Sequence, residues 1–377
     1  MRKRKKSERL VWIDIMLTLA ALETMAYFYY GVRILVLAGV CIAVSLAAEL
    51  ISFRLMHRTF TADDLTCTSD ALITALMMPA VIEYKIPAIA CVFAVIAAKN
   101  IFGGRINMIF SPAAAAYLFI LTSWKDELLS YSLPYDKLGI FEKASGLVNS
   151  ASYTYNHTGA FDQSNFELLM GYFSGPVGAV SILLLAVSAV ILLLRRDISC
   201  GAFIGTLLGT CFMAYFCPIS GSGFTSVKYT LATNMILFAA IYIVSDRRIA
   251  PERNYYAFFY GFFIAISSYV VTLTTGKENV IVIMSVLFTP VSLGFKNLQK
   301  RIDKEIALEK ETAARSADIT DSAAETIENI TAEEAELSEE PDGDPEAPSD
   351  DISDADDTVN DAEEENDKEA ESNEKTQ

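Results

Sequence analysis

Residues 2–30 read RKRKKSERLVWIDIMLTLAALETMAYFYY: a basic run from Arg2 to Lys6, a short polar bridge, then an apolar stretch, Leu10–Tyr30, of about 20 residues. That length crosses about 30 Å of hydrocarbon as a helix. No small-residue cleavage site follows, so the stretch reads as a signal anchor with its basic flank in the cytoplasm.

Nine further apolar stretches follow, at 33–53, 68–82, 86–102, 108–124, 177–194, 200–217, 229–245, 255–274 and 279–295. Lysine and arginine crowd into every second connection. Through Lys304, 19 basic residues fall on the side of Met1–Arg9 and 7 on the other, although the second side includes the longest loop. The asymmetry predicts a multi-pass protein of the cell membrane with both termini cytoplasmic.

The formal charge of −17 conflicts with a positive mean hydropathy until the chain is divided. From Asp303 onward there are 29 acidic and 5 basic residues, whereas residues 1–302 carry 18 acidic and 25 basic ones. A basic body thus precedes an acidic, Ala- and Ser-rich tail that lacks the apolar residues to bury a core. The predicted fold is an all-α polytopic membrane protein of about ten transmembrane helices, with no nucleic-acid footprint. It divides into a basic cytoplasmic N-terminus (1–9), a first five-helix half (10–124), an extracytoplasmic loop (125–175), a second five-helix half (176–298) and a disordered acidic cytoplasmic tail (299–377). Five is odd, so the two halves enter the membrane inverted, and their interface is the expected site region. The third stretch is too short to cross and ends in Met77-Met78-Pro79, which predicts a broken or re-entrant helix.

Cys41, Cys67, Cys91, Cys200, Cys211 and Cys217 show no CxxC pair, and no histidine stands at ligand spacing. They read as small apolar packing residues, with no metal site expected from this chain alone. A thiolate lent to a cluster shared between subunits stays open.

Four acidic residues interrupt the apolar stretches: Asp14, Glu23, Glu49 and Asp70. Each costs on the order of 2–3 kcal/mol at mid-membrane and needs a partner or a wet cavity. Asp14 stands close enough to the cytoplasmic end to snorkel. Glu23 and Asp70 are the candidates for an ion pathway, against the plainer reading of carboxylates paired with a neighbouring helix.

A polar turn, Lys99-Asn100-Ile101-Phe102-Gly103-Gly104-Arg105-Ile106-Asn107, returns the fourth stretch to the cytoplasm. Its adjacent glycines permit a sharp turn and close approach to a ligand, and Lys99 and Arg105 suit anionic groups. A tight turn carrying positive-inside residues explains the same letters.

This turn, continued through Ala114, resembles the NqrB/RnfD family of ion-translocating electron-transport subunits, as do Ser69–Leu76 with Pro79, Asn234–Phe238 leading into Ser245-Asp246 and Pro251, and Gly276–Asn279 with Thr289-Pro290. The resemblance spans about residues 10–298. It implies a ten-helix, flavin-bearing subunit in a complex that couples electron transfer to Na⁺ or H⁺ movement, with other subunits as partners. It implies an outer FMN esterified to the Thr of a Ser/Thr-Gly-Ala-Thr motif; a noncovalent inner flavin, FMN or riboflavin, near Lys99, Asn100, Gly103, Gly104, Arg105 and Asn107 is left open by the residues of the turn. Here the motif reads Ser145-Gly146-Leu147-Val148. Valine has no hydroxyl to form a phosphoester, so covalent FMN at Val148 is excluded, and Thr154 or Thr158 is the nearest substitute. In Ser174–Ser181 the family's Glu-Thr pair is replaced by Ala179 and Val180, a second polar loss in the same region. A flavin-free structural subunit and a stand-alone channel or carrier for a small solute are the alternatives.

Overall fold

A computed structural model describes residues 8–57, 65–102, 104, 108–142, 146–161 and 163–336, with side chains from 9 to 316. The first half comprises α1 (Glu8–Tyr30), α2 (Val32–Leu55), α3 (Thr66–Leu76), α4 (Lys85–Phe93), which continues as a π-helix over Ala94–Asn100, and α5 (Pro112–Ser123). The loop carries α6 (Lys125–Leu128), α7 (Ala151–Thr158) and α8 (Asn165–Met170). The second half holds α9 (Ile182–Leu194), α10 (Cys200–Phe216), α11 (Gly223–Ala232), α12 (Ile236–Ala239) with a π-helix over Ala240–Val244, α13 (Asn254–Thr275), α14 (Val280–Leu287) and α15 (Thr289–Glu336). Among the described residues there is no strand, and the only β pairing is an isolated bridge between Tyr131 and Val148.

All ten apolar stretches hold helix, but their lengths differ. Three helices are long and apolar enough to cross a membrane (9–30, 32–55 and 254–275), and the count rises to five if two bent pairs are each taken as one span. Pro112–Ser123, Ile182–Leu194 and Cys200–Phe216 are apolar but shorter. Local chemistry sets these lengths. Proline disfavours helix in the residue before it, so α3 stops short of Pro79 after about 17 Å of rise. Between α11 and α12 the chain bends by 63° at Thr233-Asn234-Met235, where Asn234 and Met235 adopt φ of 57° and 55°. That left-handed backbone costs a non-glycine residue roughly 1–2 kcal/mol, and it is held from outside: Asn156 and Asn234 exchange side-chain hydrogen bonds (2.6 and 3.1 Å), and Ser152 Oγ accepts from the Asn234 amide at 2.9 Å.

The third stretch is a short helix that ends at Leu76 and gives way to irregular backbone. Its irregular backbone lies in the protein interior, where every polar group needs a protein partner. Gly178 N–H donates to Leu76 O at 2.7 Å and Val177 N–H to Met78 O at 3.1 Å, so the start of the second half closes the end of α3. Buried Arg33 supplies the rest, donating to Ala80 O (2.9 Å), Val81 O (3.1 Å), Ile82 O (3.0 Å) and Glu142 O (2.8 Å). In the second half, Gly201, Gly205 and Gly209 of α10 lie against the α13 backbone near Gly261 and Ala265. Small residues at this spacing let two apolar helices approach closely where lipid offers no competing hydrophobic drive.

Trp12 Nε1 donates to Thr68 Oγ1 at 3.2 Å, and Arg195 pairs with Asp14 at 2.8 Å, placing the starts of α1 and α3 and the end of α9 at one end of the body, termed here the near end. Tyr30, Leu138, Asn156, Asn234 and Gly276 meet at the far end.

The body ends at Ala307, and a second unit begins at Leu308. Disorder expected from residue 299 is corrected over 299–336, where the backbone is helical. That stretch contains neither glycine nor proline, is rich in the strong helix formers Ala, Glu and Lys, and sets Glu311 four residues before Arg315. Residues 308–316 are exposed, so propensity rather than burial holds this part of α15. Residues 337–377 and the basic run 2–6 lie outside the described residues.

Candidate functional site

Four acidic side chains of the first half meet four different fates. Glu49 of α2 is paired with Lys99 at 2.7 Å, both side chains almost wholly buried, and Asn100 Nδ2 donates to its other oxygen at 3.4 Å. The π-helix explains the meeting: one extra residue in the turn rotates the following side chains relative to the helix below, and Lys99 points inward. Asp70 of α3 receives both terminal nitrogens of Arg248 (3.0 and 2.5 Å), and Arg248 also grips Asp246 through Nε at 3.0 and 2.9 Å. Asp14 pairs with Arg195 instead of snorkelling alone.

Glu23 stands apart. It is buried in α1, and neither carboxylate oxygen has a hydrogen-bond partner among the described residues. Unpaired ionisable groups within an apolar helix mark ion routes more often than packing.

The near-end groups surround a small cavity lined by Ser45, Cys67, Asp70, Thr74, Cys91 and Lys99. Thr74 donates to Asp70 O at 2.8 Å, and the buried Cys91 thiol lies beside Cys41 and Ser45. The cysteines of the first half are buried, as packing residues should be, while Cys200 and Cys217 are exposed. Among the described residues no group of three or more His, Cys, Asp or Glu side chains is arranged to hold a metal.

The residues expected around an inner flavin divide. Lys99 and Asn100 are committed to Glu49, Gly104 is buried with a φ of 76° that only glycine adopts freely, and Gly103, Arg105 and Asn107 lie outside the described residues. An anionic group at this turn would have to compete with Glu49 for the Lys99 amine.

At the far end, Val148 exchanges backbone hydrogen bonds with Tyr131 (2.9 and 3.1 Å), Gly146 is exposed, and Ser145 lies outside the described residues. Thr154 sits exposed on α7, its hydroxyl donating to Ser150 O at 3.2 Å, and Thr158 repeats the contact to Thr154 O. No hydroxyl occupies the position of the family's acceptor, so the residues present do not fit an FMN ester at 148.

Two features of the candidate site escaped the sequence reading. Arg248 was legible only as one of several positive-inside residues, and nothing local signals that it reaches Asp70. Glu278 was legible only as part of a family-like Gly-Lys-Glu-Asn stretch, yet it is buried under the far-end loop, accepting from Tyr131 Oη at 2.8 Å and from the Ser150 hydroxyl. Burial pushes its carboxyl up to about 7, with the Tyr131 bond pulling in the opposite direction.

Against known proteins, the family described as NQR2, RnfD, RnfE matches residues 1–293. The RnfD protein of the ion-translocating oxidoreductase complex of Actinobacillus pleuropneumoniae is 32% identical over 130 residues, covering 34% of this chain and 37% of that protein. Its namesake from Vibrio cholerae is 27% identical over 167 residues, covering 44% and 46%. The like-lettered component of the Na⁺-translocating ferredoxin:NAD⁺ oxidoreductase complex of Acetobacterium woodii is 26% identical over 126 residues, covering 33% and 40%. The chain spans less than half the length of these curated relatives in each match.

Proposed function

The chain belongs to the NQR2, RnfD, RnfE family, and from that premise we propose that it is the membrane subunit of an ion-translocating oxidoreductase complex, in which electron transfer through partner subunits drives Na⁺ or H⁺ across the cell membrane. The family match over residues 1–293, nearly all of the helical body, carries this reading. In it, the near end and both termini face the cytoplasm, on the strength of the 19-to-7 basic asymmetry. Ten crossings or near-crossings form two inverted halves, 10–124 and 176–298, set in the lipid bilayer. Glu23 is the ion-binding carboxylate of the route, and Asp70 lies at its cytoplasmic end, where the pairing with Arg248 must loosen before an ion binds there.

A flavin-free role is the second reading, favoured by Val148. A flavin, FMN or riboflavin, held without a covalent bond at the turn after Asn100 is the cofactor that the first reading admits. Both are tested by purifying the tagged chain from its own membranes in mild detergent and recording its visible absorption before and after acid precipitation. The first reading expects redox subunits to co-purify and any flavin to stay in the supernatant. Flavin that precipitates with the protein contradicts the loss of covalent attachment, and a chain that purifies alone, with no redox partner, contradicts the complex.

A further inference from the structure

We propose that Glu278, held by the Tyr131 and Ser150 hydroxyls at the far end of the body, is a proton-binding site that both halves and the loop build together. The inference rests on the proposed ion-translocating role only for its sidedness, since the site itself is defined by geometry.

Glu278 lies in the four-residue connection between α13 and α14, just after Gly276, whose φ of 67° ends α13. Its carboxylate is buried, and both oxygens face hydroxyls: Tyr131 Oη at 2.8 Å on one, Ser150 Oγ on the other. Tyr117 of α5 faces it from the first half. The Tyr30 hydroxyl, at the end of α1 and near Tyr131, is buried and has no hydrogen-bond partner among the described residues. Among the described residues no Lys, Arg or His pairs with Glu278: neighbouring Lys277 is exposed, and His157 of α7 lies over Gly276 with its Nδ1 at Tyr153 O.

A buried carboxylate needs a counter-charge or a proton. Among the described residues no counter-charge is at hand, and the surrounding hydroxyls both donate and accept, so they satisfy the carboxylate and the neutral acid alike. That adaptability is what a reversible proton site requires. Burial raises the carboxyl to about 7, the range in which a reversible proton site must work. In the proposed orientation this group faces the extracytoplasmic side, at the opposite end from Asp70.

The test is infrared difference spectroscopy of the purified full-length protein, titrated from about pH 5 to about pH 9 in sodium-free buffer. A protonated-carboxyl band that disappears with a midpoint of about 7 is expected. It should be lost in Glu278→Gln, whose amide preserves the shape, and shifted upward by roughly one pH unit in Tyr131→Phe, which removes a donor to the charged form. A band unchanged in Glu278→Gln overturns the site. Added NaCl, compared with choline chloride, should leave the midpoint in place, and a midpoint that falls as sodium rises overturns the proton in favour of a sodium ion. Wild-type complex that shows the titrating band but no redox-driven translocation defeats the pump reading and leaves the site standing. Translocation without the band does the reverse.

Discussion

Arg248 and Asp70, 178 positions apart, meet in a two-pronged ion pair that ties the turn after the second half's broken helix to the short third helix of the first half. Asp246, held by the same guanidinium, makes the cluster net negative by one charge, so the arginine neutralises only part of what it touches. A planar fork matched to two carboxylates is a task that lysine performs poorly.

Arg248→Ala should therefore lower stability by about 2–3 kcal/mol, because it leaves two largely buried carboxylates facing each other. Arg248→Lys should recover part of the loss, and Asp70→Asn should cost less than the alanine variant. Thermal unfolding of the detergent-solubilised protein, followed by intrinsic fluorescence, ranks the three.

Lys99→Met should cost about 3–5 kcal/mol, since it strands the fully buried Glu49. The double variant Glu49→Met with Lys99→Met should regain most of it, because an apolar pair of similar volume replaces two desolvated charges. A double variant as unstable as the single one would show that the pair organises the π-helix by more than charge.

Gly205→Ala places a Cβ against the backbone carbonyl of Phe258 and must push α10 and α13 apart, at a cost of about 1–3 kcal/mol. Gly39→Ala meets nothing within 4 Å and should stabilise α2 by up to about 1 kcal/mol. Expression level and melting temperature, compared between the two, separate a packing effect from a general intolerance of glycine replacement.

The far-end loop should loosen as pH rises. The Glu278 carboxyl is raised from 4.5 to about 7 in the folded protein, so its contribution to stability is complete below 4.5 and lost as pH climbs through about 7. The full swing is on the order of 3 kcal/mol. Hydrogen exchange in α7 should quicken between acid and neutral pH in the wild type, and Glu278→Gln should flatten that dependence.

How far these features were legible in the sequence depends on whether their cause is local. The apolar stretches, the broken third helix at Pro79 and the basic asymmetry are written in consecutive residues and in composition. Asp70 and Glu23 were visible because a carboxylate in an apolar run is anomalous wherever it falls. Their opposite fates were not visible, since Arg248 comes to Asp70 through tertiary packing while Glu23 receives no hydrogen bond among the described residues. Lys99 was read as a turn cation suited to anionic groups because it opens a glycine-rich polar stretch, and the π-helix that turns it towards Glu49 has no simple residue signature. The helical run through Glu336 was missed for a different reason: its composition excludes a core, but a helix of strong formers needs none.

The central claim, that this chain works inside a redox-driven ion pump, is tested most directly by ion uptake into inverted vesicles from cells lacking the chain and supplied with wild-type or Glu23→Gln protein. Uptake of Na⁺ or H⁺ that requires an electron donor, is restored by the wild type and falls at least about tenfold in Glu23→Gln is the predicted result. Ion or solute flux through the purified chain alone, proceeding without any electron donor and indifferent to one, would contradict it.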